Sequence, residues 1–271
     1  MIEISHLSYK YPGQKEPVFT DFSLTLGENK VYGLLGKNGT GKSTLLYLVS
    51  GLLRPTAGSV RVDAVDAKDR RVEILRDIFL VPEEFDLPSM TLERYVRLHA
   101  PFYPRFSREV LDACLNDFEL TTELRLQALS MGQKKKVFVS FALAANTRYL
   151  LMDEPTNGLD IPSKSQFRKV IAQNMSDERT VVISTHQVHD VEALLDHILI
   201  LNQRELLLNA SVQDITARYT FSYRTVDDGS AVIYAEPSLQ GHAVMAERRE
   251  GDAETQQNLE LLFNAVTKQR V

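Results

Sequence analysis

The stretch Gly36 to Thr44, Gly-Lys-Asn-Gly-Thr-Gly-Lys-Ser-Thr, restricts what this chain can fold into more than any other. An apolar run, Val31 to Leu35, leads into it and a second, Leu45 to Val49, leads out, so the predicted order is strand, glycine loop, helix. The three glycines let the backbone turn tightly and aim successive amide hydrogens inward. A helix beginning near Gly41 points its partially positive end at the same spot. A polyphosphate fits there. In such a loop the Lys42 ammonium reaches the β- and γ-phosphates, and the Ser43 hydroxyl ligates a Mg²⁺ ion, with Thr44 beside it. Gly36, Asn38, Gly39, Gly41, Lys42, Ser43 and Thr44 are therefore the candidate phosphate contacts.

Residues 2–11 and 17–26 alternate as two strands around the turn Tyr11-Pro12-Gly13. Tyr9 and Tyr11 stand two apart, so both rings project to one side, either to stack on a base or to cover a sheet edge. Ser59 to Val65 and Asp77 to Val81 read as further strands, the latter ending at Pro82-Glu83-Glu84. From about Met90 to Phe118 the apolar period becomes helical, with Ser107 a plausible N-cap and Pro101 and Pro104 between two helices. Leu129-Ser130-Met131-Gly132-Gln133 opens a third helix, predicted over Lys134 to Ala145, which Ser130 would cap. Lys134, Lys135 and Lys136 stand where cations oppose the helix dipole, which suits either an anion meeting this end or a solvated basic face.

Tyr149 to Met152 reads as a buried strand that ends in Asp153-Glu154, where open α/β sheets place their ligands. Paired acids there divide into a magnesium partner and a water-activating base. Val181 to Ser184 repeats the theme and ends at Thr185-His186, a position for a γ-phosphate sensor. A hairpin (His197 to Leu201, Glu205 to Asn209), a short helix (Val212 to Tyr219), two strands (Phe221 to Val226, Ala231 to Ala235), a polar stretch and a helical face of Leu259, Leu262, Phe263 and Val266 complete the chain.

Composition sets outer limits. A length of 271 residues supports its own core, and a net charge of −5 supplies no global basic field for nucleic acid or an anionic membrane. The single cysteine, Cys114, falls in a helical segment and is expected to be a core residue in a reducing compartment. The N-terminus lacks signal-peptide blocks and no stretch approaches 18 uninterrupted apolar residues, so neither export nor membrane spanning is expected of this polypeptide itself.

Taken together, the glycine loop, the pentad at Leu129, the Asp153-Glu154 pair and His186 come in the order and rough spacing of the ATP-binding-cassette (ABC) family, which residues 1 to about 215 resemble. Within it the chain looks most like the ATPase subunits of bacterial export-type transporters. The resemblance implies an α/β fold: a P-loop ABC-type ATPase core with an N-terminal antiparallel β subdomain, a helical insertion at about 84–146 and a small C-terminal α+β appendage at 216–271. It implies ATP and Mg²⁺ as ligands, with Tyr11 stacking on adenine, Asp153 as magnesium partner, Glu154 as general base and His186 as switch histidine. Ser130 and Gly132 would complete the site of the opposite subunit and Asp160 would face it. The implied assembly is a homodimer or heterodimer of ATPase subunits on a separate membrane-spanning permease, cytoplasmic and peripheral on the inner face of the membrane, with no nucleic acid.

Two positions depart from the family. Met131 stands where glycine is usual, and Glu83 stands where glutamine is usual; Glu83 is expected either to contact the metal or only to shape its loop. Two other readings share the fold: a soluble ATPase acting on ribosomes or DNA, and a nucleotide-dependent regulatory module. The first usually joins two cassettes or inserts long coiled coils, and the second has no use for Glu154.

Overall fold

The computed structural model describes residues 1–202, 204–224, 232–239, 241–249, 251–253 and 255–268. In chain order, β1 (Ile2–Tyr9) and β2 (Phe19–Leu26) pair antiparallel, and β3 (Val31–Leu35) leads through the glycine loop into α1 (Lys42–Val49). A hairpin of β4 (Ala57–Val62) and β5 (Val65–Asp66) follows, then α2 (Val72–Leu75) and β6 (Ile78–Val81). Three helices come next, α3 (Leu92–His99), α4 (Arg108–Asp117) and α5 (Met131–Ala144). The chain returns to the core with β7 (Tyr149–Asp153), α6 (Ile161–Gln173), β8 (Thr180–Thr185), β9 (His197–Asn202) and β10 (Glu205–Ser211). It ends with α7 (Val212–Arg218), β11 (Tyr219–Arg224), β12 (Tyr234–Ser238), β13 (Gly241–Glu247) and α8 (Leu259–Thr267).

The strands form three sheets, ordered β2-β1-β4-β5, β10-β9-β3-β8-β7-β6 and β11-β13-β12. In the second, β9, β3, β8, β7 and β6 run parallel, and every residue of β3, β7 and β8 is buried. Continuous apolar strands are what a parallel sheet covered on both faces requires. The helical insertion closes over α5 through Phe141, whose ring lies 5.2 Å from Tyr95 and 5.3 Å from Phe106, and which reaches Phe79 of β6 at 5.9 Å. Burying one such ring contributes about 2–3 kcal/mol, enough to fix the insertion against the sheet. Cys114 is buried in α4, and burial pushes its thiol up to about 12, out of reach of nucleophilic chemistry. Among the described residues no helix is long and apolar enough to cross a membrane.

Sequence and structure part in two places. The single strand expected at Ser59 to Val65 is a hairpin, because Asp63 (φ 48°) and Ala64 (φ 64°) both take the left-handed conformation of a two-residue turn. The polar stretch expected after Ala235 contains β13, the central strand of the last sheet, whose short run Ala243 to Ala246 is flanked by polar residues. The two strands expected there are β11 and β12; Val226 and Ala231, at the expected ends, lie outside the described residues.

The C-terminal elements dock on the core. Ile215, Tyr219, Phe221, Met245, Leu259 and Leu262 join one buried cluster with Val188 and Ile198. Glu192 accepts a hydrogen bond from the Leu259 N–H at the start of α8 (2.9 Å), and His189 Nε2 lies 2.6 Å from Glu260 Oε2. Deleting residues 220–271 is therefore expected to lower stability by about 2 kcal/mol, or roughly 5 °C in Tm for a domain of this size. Differential scanning calorimetry on the truncated chain checks this, and an unchanged Tm would mean that these contacts carry no net weight.

Candidate active site

Registers within the parallel sheet bring the chemistry to one edge. Leu35 pairs with Thr185, Asp153 with Ser184 and Val81 with Met152. The carboxyl ends of β3, β8, β7 and β6 thus lie side by side, and from them issue the glycine loop, His186, Glu154 and Glu83. Such an edge is where open parallel sheets hold ligands.

The glycine loop is shaped by close approaches that no side chain tolerates. A Cβ on Gly36 would sit 2.7 Å from the Leu201 carbonyl oxygen. Gly41, the N-cap of α1, has φ 102°, and a Cβ there would meet Phe19 at 2.8 Å. Beyond it the first turn of α1 presents its amides with no acidic side chain in that turn, so an anion meets no competing carboxylate from the helix itself. Lys42 is buried; its Nζ donates to the Gly36 carbonyl (2.8 Å) and lies 3.5 Å from Glu154 Oε1. Tyr11 Oη and Thr44 Oγ1 share a hydrogen bond of 3.1 Å, which fixes Tyr11 over the start of α1. The Tyr9 and Tyr11 rings meet edge to face at 5.0 Å, with Tyr9 buried and Tyr11 half-buried.

The two carboxylates have different surroundings. Asp153 is 1% exposed; its Oδ1 accepts from the Ser184 hydroxyl, while Oδ2 is buried with no hydrogen-bond partner. A bare buried carboxylate oxygen is costly unless a cation or a metal-bound water meets it, so this atom suits a divalent ion. Glu154 is 4% exposed; its Oε2 accepts from Thr185 Oγ1 (3.1 Å) and from the His186 N–H (3.4 Å). Its Oε1 faces His186 Nδ1 at 2.8 Å, off the line of a hydrogen bond, with Lys42 on its other flank. Glu154 also has φ 44°, a left-handed conformation that costs on the order of 1 kcal/mol in a non-glycine residue.

The pentad helix differs from expectation. α5 starts at Met131, capped reciprocally by Ser130 and Gln133, and none of its three lysines forms a solvated face. Lys134 Nζ lies 3.9 Å from Asp86, and Lys136 donates to Gln166 of α6 and rests over the Phe118 ring. Lys135 is 5% exposed and donates to the carbonyl oxygens of Glu154 (3.1 Å) and Asn157 (2.7 Å). Burial holds its ammonium below the usual lysine range, while Glu83, Glu154 and Asp153 pull the other way. Lysine at successive helical positions points about 100° apart, so three neighbours reach three different segments.

Glu83 Oε1 accepts from Asn157 Nδ2 at 3.0 Å, which ties the loop after β6 to the turn after Glu154. Asp160 is exposed and caps α6 through the Ser163 N–H (2.9 Å), and the Ser163 hydroxyl first, with that N–H, holds its carboxyl below the usual range. Among the described residues neither Ser130 nor Gly132 hydrogen-bonds to the glycine loop of its own chain; a Cβ on Gly132 would instead lie 3.7 Å from the Gly158 carbonyl oxygen. The predicted residues therefore form two groups. Lys42, Asp153, Glu154 and His186 meet at the sheet edge, whereas Ser130 and Gly132 lie at the start of α5, where Gly132 approaches the Gly158–Leu159 turn that leads into Asp160. Sequence reading missed Lys135, Asn157, Thr185 and Ser184. Only the lysine run carried a signal, and it pointed to an anion at the helix end or to solvent, not to buried carbonyls.

The fold has known counterparts. Residues 19–157, about half of the chain, match the family model described as ABC transporter. The ABC transporter ATP-binding protein NatA of Bacillus subtilis is 29% identical over 225 residues, covering 79% of this chain and 91% of NatA. The cobalt import ATP-binding protein CbiO of Salmonella typhimurium is 33% identical over 228 residues, covering 80% and 83%. Among solved structures, the dimeric bacterial ABC transporter cassette MJ0796 superposes with a TM-score of 0.69 at 26% identity, covering 78% of this chain and 99% of that one. The same cassette, bound to ADP and Pi after hydrolysis, gives the same score. The chain, whose phosphate loop, acid pair and histidine gather on one parallel sheet edge, belongs to the ABC transporter family and is an ATP-binding subunit with ATPase activity.

Proposed function

We propose that this chain closes head to tail with a second copy, or with a related ATPase subunit, around two ATP molecules, and that this closure drives a separate membrane-spanning partner. The observation that carries the reading is the convergence of Lys42 (3.5 Å) and His186 (2.8 Å) on the one carboxylate oxygen of Glu154. A phosphate-binding cation, a base and a histidine within reach of each other are the parts that phosphoryl transfer to water needs. In this reading Tyr11 lies against adenine, and the amides of Gly36, Asn38, Gly39 and Gly41 with Lys42 hold the phosphates. Ser43, Asp153 and Glu83 would hold Mg²⁺, which would neutralise charge on the phosphate oxygens. Glu154 takes the proton of the water that attacks the γ-phosphorus as the bond from that phosphorus to the bridging oxygen breaks. His186 holds the Glu154 carboxylate and the γ-phosphate in line. Ser130 and Gly132 of the opposite subunit bring a helix N-terminus to the far side of the phosphate, beside Asp160.

Two exposed apolar side chains support the closing face. Met131 is 52% exposed and Ile161 84% exposed, next to Ser130 and Asp160. Apolar side chains beside the contact residues favour a covered surface. For the membrane partner we assign the groove of about 520 Å³ lined by Ser89, Met90, Thr91, Arg125, Gln127 and Ala128, on the helical insertion just after Glu83. We take residues 1–215 as the ATPase domain, with 84–146 as its helical subdomain and 216–271 as the appendage. The protein then works in the cytoplasm, on the inner face of the membrane. Export rests on motif likeness alone, since CbiO is named for import, and a vesicle transport assay decides direction.

Solution scattering tests the clamp. With ATP and Mg²⁺ under non-hydrolysing conditions the apparent mass should double, and ADP should leave it single; a mass that ignores nucleotide refutes closure around ATP.

A further inference from the structure

We propose that Lys135 is a positioning residue for hydrolysis: it pins the backbone of Glu154 and thereby ties the helix serving the opposite site to the base of its own site. The inference rests on the reading of Glu154 as base. The ammonium lies inside the protein, and both of its acceptors are backbone carbonyls, those of Glu154 and Asn157. These two carbonyls bracket the turn that follows the catalytic strand. The Glu154 carbonyl also accepts from the Asn157 N–H (3.1 Å), and the Glu154 N–H donates to Ser184 (3.0 Å). The strained residue is thus held at both of its peptide groups, and Lys135 is the one side chain among these holders.

A buried lysine is an expensive way to fill space, since an apolar side chain of similar length would pack there without desolvating a charge. What lysine adds is direction: donors aimed at two carbonyls, and a charge set against Asp153, Glu154 and Glu83. The other end of the connection is Ser130, five residues earlier at the cap of the same helix, about 7 Å along its axis. A helix turn is stiff over that distance, so a phosphate that loads Ser130 from the opposite subunit moves the Lys135 ammonium with it. Asn157 extends the link to Glu83 at the mouth of the helical insertion. The base is therefore aimed only when α5 is seated, and one chain's hydrolysis depends on the nucleotide held by the other half of the clamp.

Lys135→Met and Lys135→Arg in the full-length chain test this, with steady-state phosphate release and equilibrium binding of a fluorescent ATP analogue as readouts. Lys135→Met should lower kcat about tenfold, with KM and analogue affinity within about threefold of wild type, because displacing a base costs rate rather than ground-state binding. Lys135→Arg, which keeps charge and donors, should recover most of the rate. In a Glu154→Gln background Lys135→Met should cost nothing more, since both changes act through one carboxylate. A wild-type kcat in Lys135→Met, a raised KM with unchanged kcat, or losses that multiply in the double variant would each overturn the proposal. Should Lys135→Met not fold, Lys135→Gln carries the same comparison. Glu154→Gln measured alongside separates the two ideas. If it keeps turnover, the base assignment fails; if it is inactive while Lys135→Met runs at the wild-type rate, only the role of Lys135 fails.

Discussion

Glu154→Gln should lower ATP turnover by a factor of about a hundred or more while leaving ATP affinity within a few-fold of wild type. A positioned base contributes roughly a hundredfold to ten-thousandfold to such a step, and an amide cannot take the proton. Binding should survive because the substitution spares the groups that hold phosphate. Lys42 keeps its hydrogen bond to the Gly36 carbonyl, and the loop amides are untouched. The fold should survive too. The amide oxygen can accept from Thr185 Oγ1 and the His186 N–H as Oε2 does now. The new NH₂ group then faces Lys42 and His186, where a donor meets a cation, so a modest drop in thermal stability is expected and no collapse. Phosphate release and equilibrium binding, measured on one preparation, give the answer. Lost binding with residual catalysis in proportion would move Glu154 from base to ligand. The variant should also keep the clamp shut on ATP, because the γ-phosphate that both halves share is no longer removed.

How much of this was legible beforehand depended on the range of the forces involved. The glycine loop and the ends of β7 and β8 were readable because local patterns fix them: apolar runs of strand length, then residues whose type matters more than their partners. The cap at Ser130 was readable for the same reason, as four adjacent residues settle it. The turn at Asp63-Ala64 was not, because Ala64 carries no turn signature and takes its left-handed conformation from the pairing of β4 with β5. β13 was hidden because its partners lie on either side of it in the sheet and its own alternation is weak.

Lys135 was the instructive failure. Three lysines in a row read as meeting an anion or as a solvated face because burying one is costly, and the sequence does not show that two carbonyls nineteen and more residues away repay the cost. The same holds for Glu83, which as a sequence letter reads either as a charge beside the metal or as a residue that shapes its loop. In the fold one of its oxygens is tied to Asn157, and Lys135 faces the same group of acids. The Lys135 and Glu83 charges offset each other, which is a property of the tertiary structure alone.

Lys42→Ala should act on the other half of the cycle and weaken ATP binding by about a hundredfold. An ammonium that reaches two phosphates makes charge-assisted hydrogen bonds worth roughly 1.5–3 kcal/mol, and each 1.4 kcal/mol is tenfold in affinity. Two competing effects are smaller. Loss of the buried stem costs packing, which lowers the stability of the free protein but does not discriminate ATP from buffer. Loss of the cation also leaves Glu154 with His186 as its remaining neighbour at Oε1, which affects turnover more than binding. The contributions separate in a thermal-shift experiment, because a ligand stabilises by RT ln(1 + [L]/Kd). At a concentration a hundred times the wild-type Kd, ATP should add about 2.7 kcal/mol to the wild type. For a variant bound a hundredfold more weakly, the same concentration should add only about 0.4 kcal/mol. The ATP-induced rise in Tm should therefore nearly vanish in Lys42→Ala and persist in Glu154→Gln. If Lys42→Ala shifts as far as the wild type, the loop at Gly36 does not hold the phosphates, and the placement of every other group around Glu154 loses its reference point.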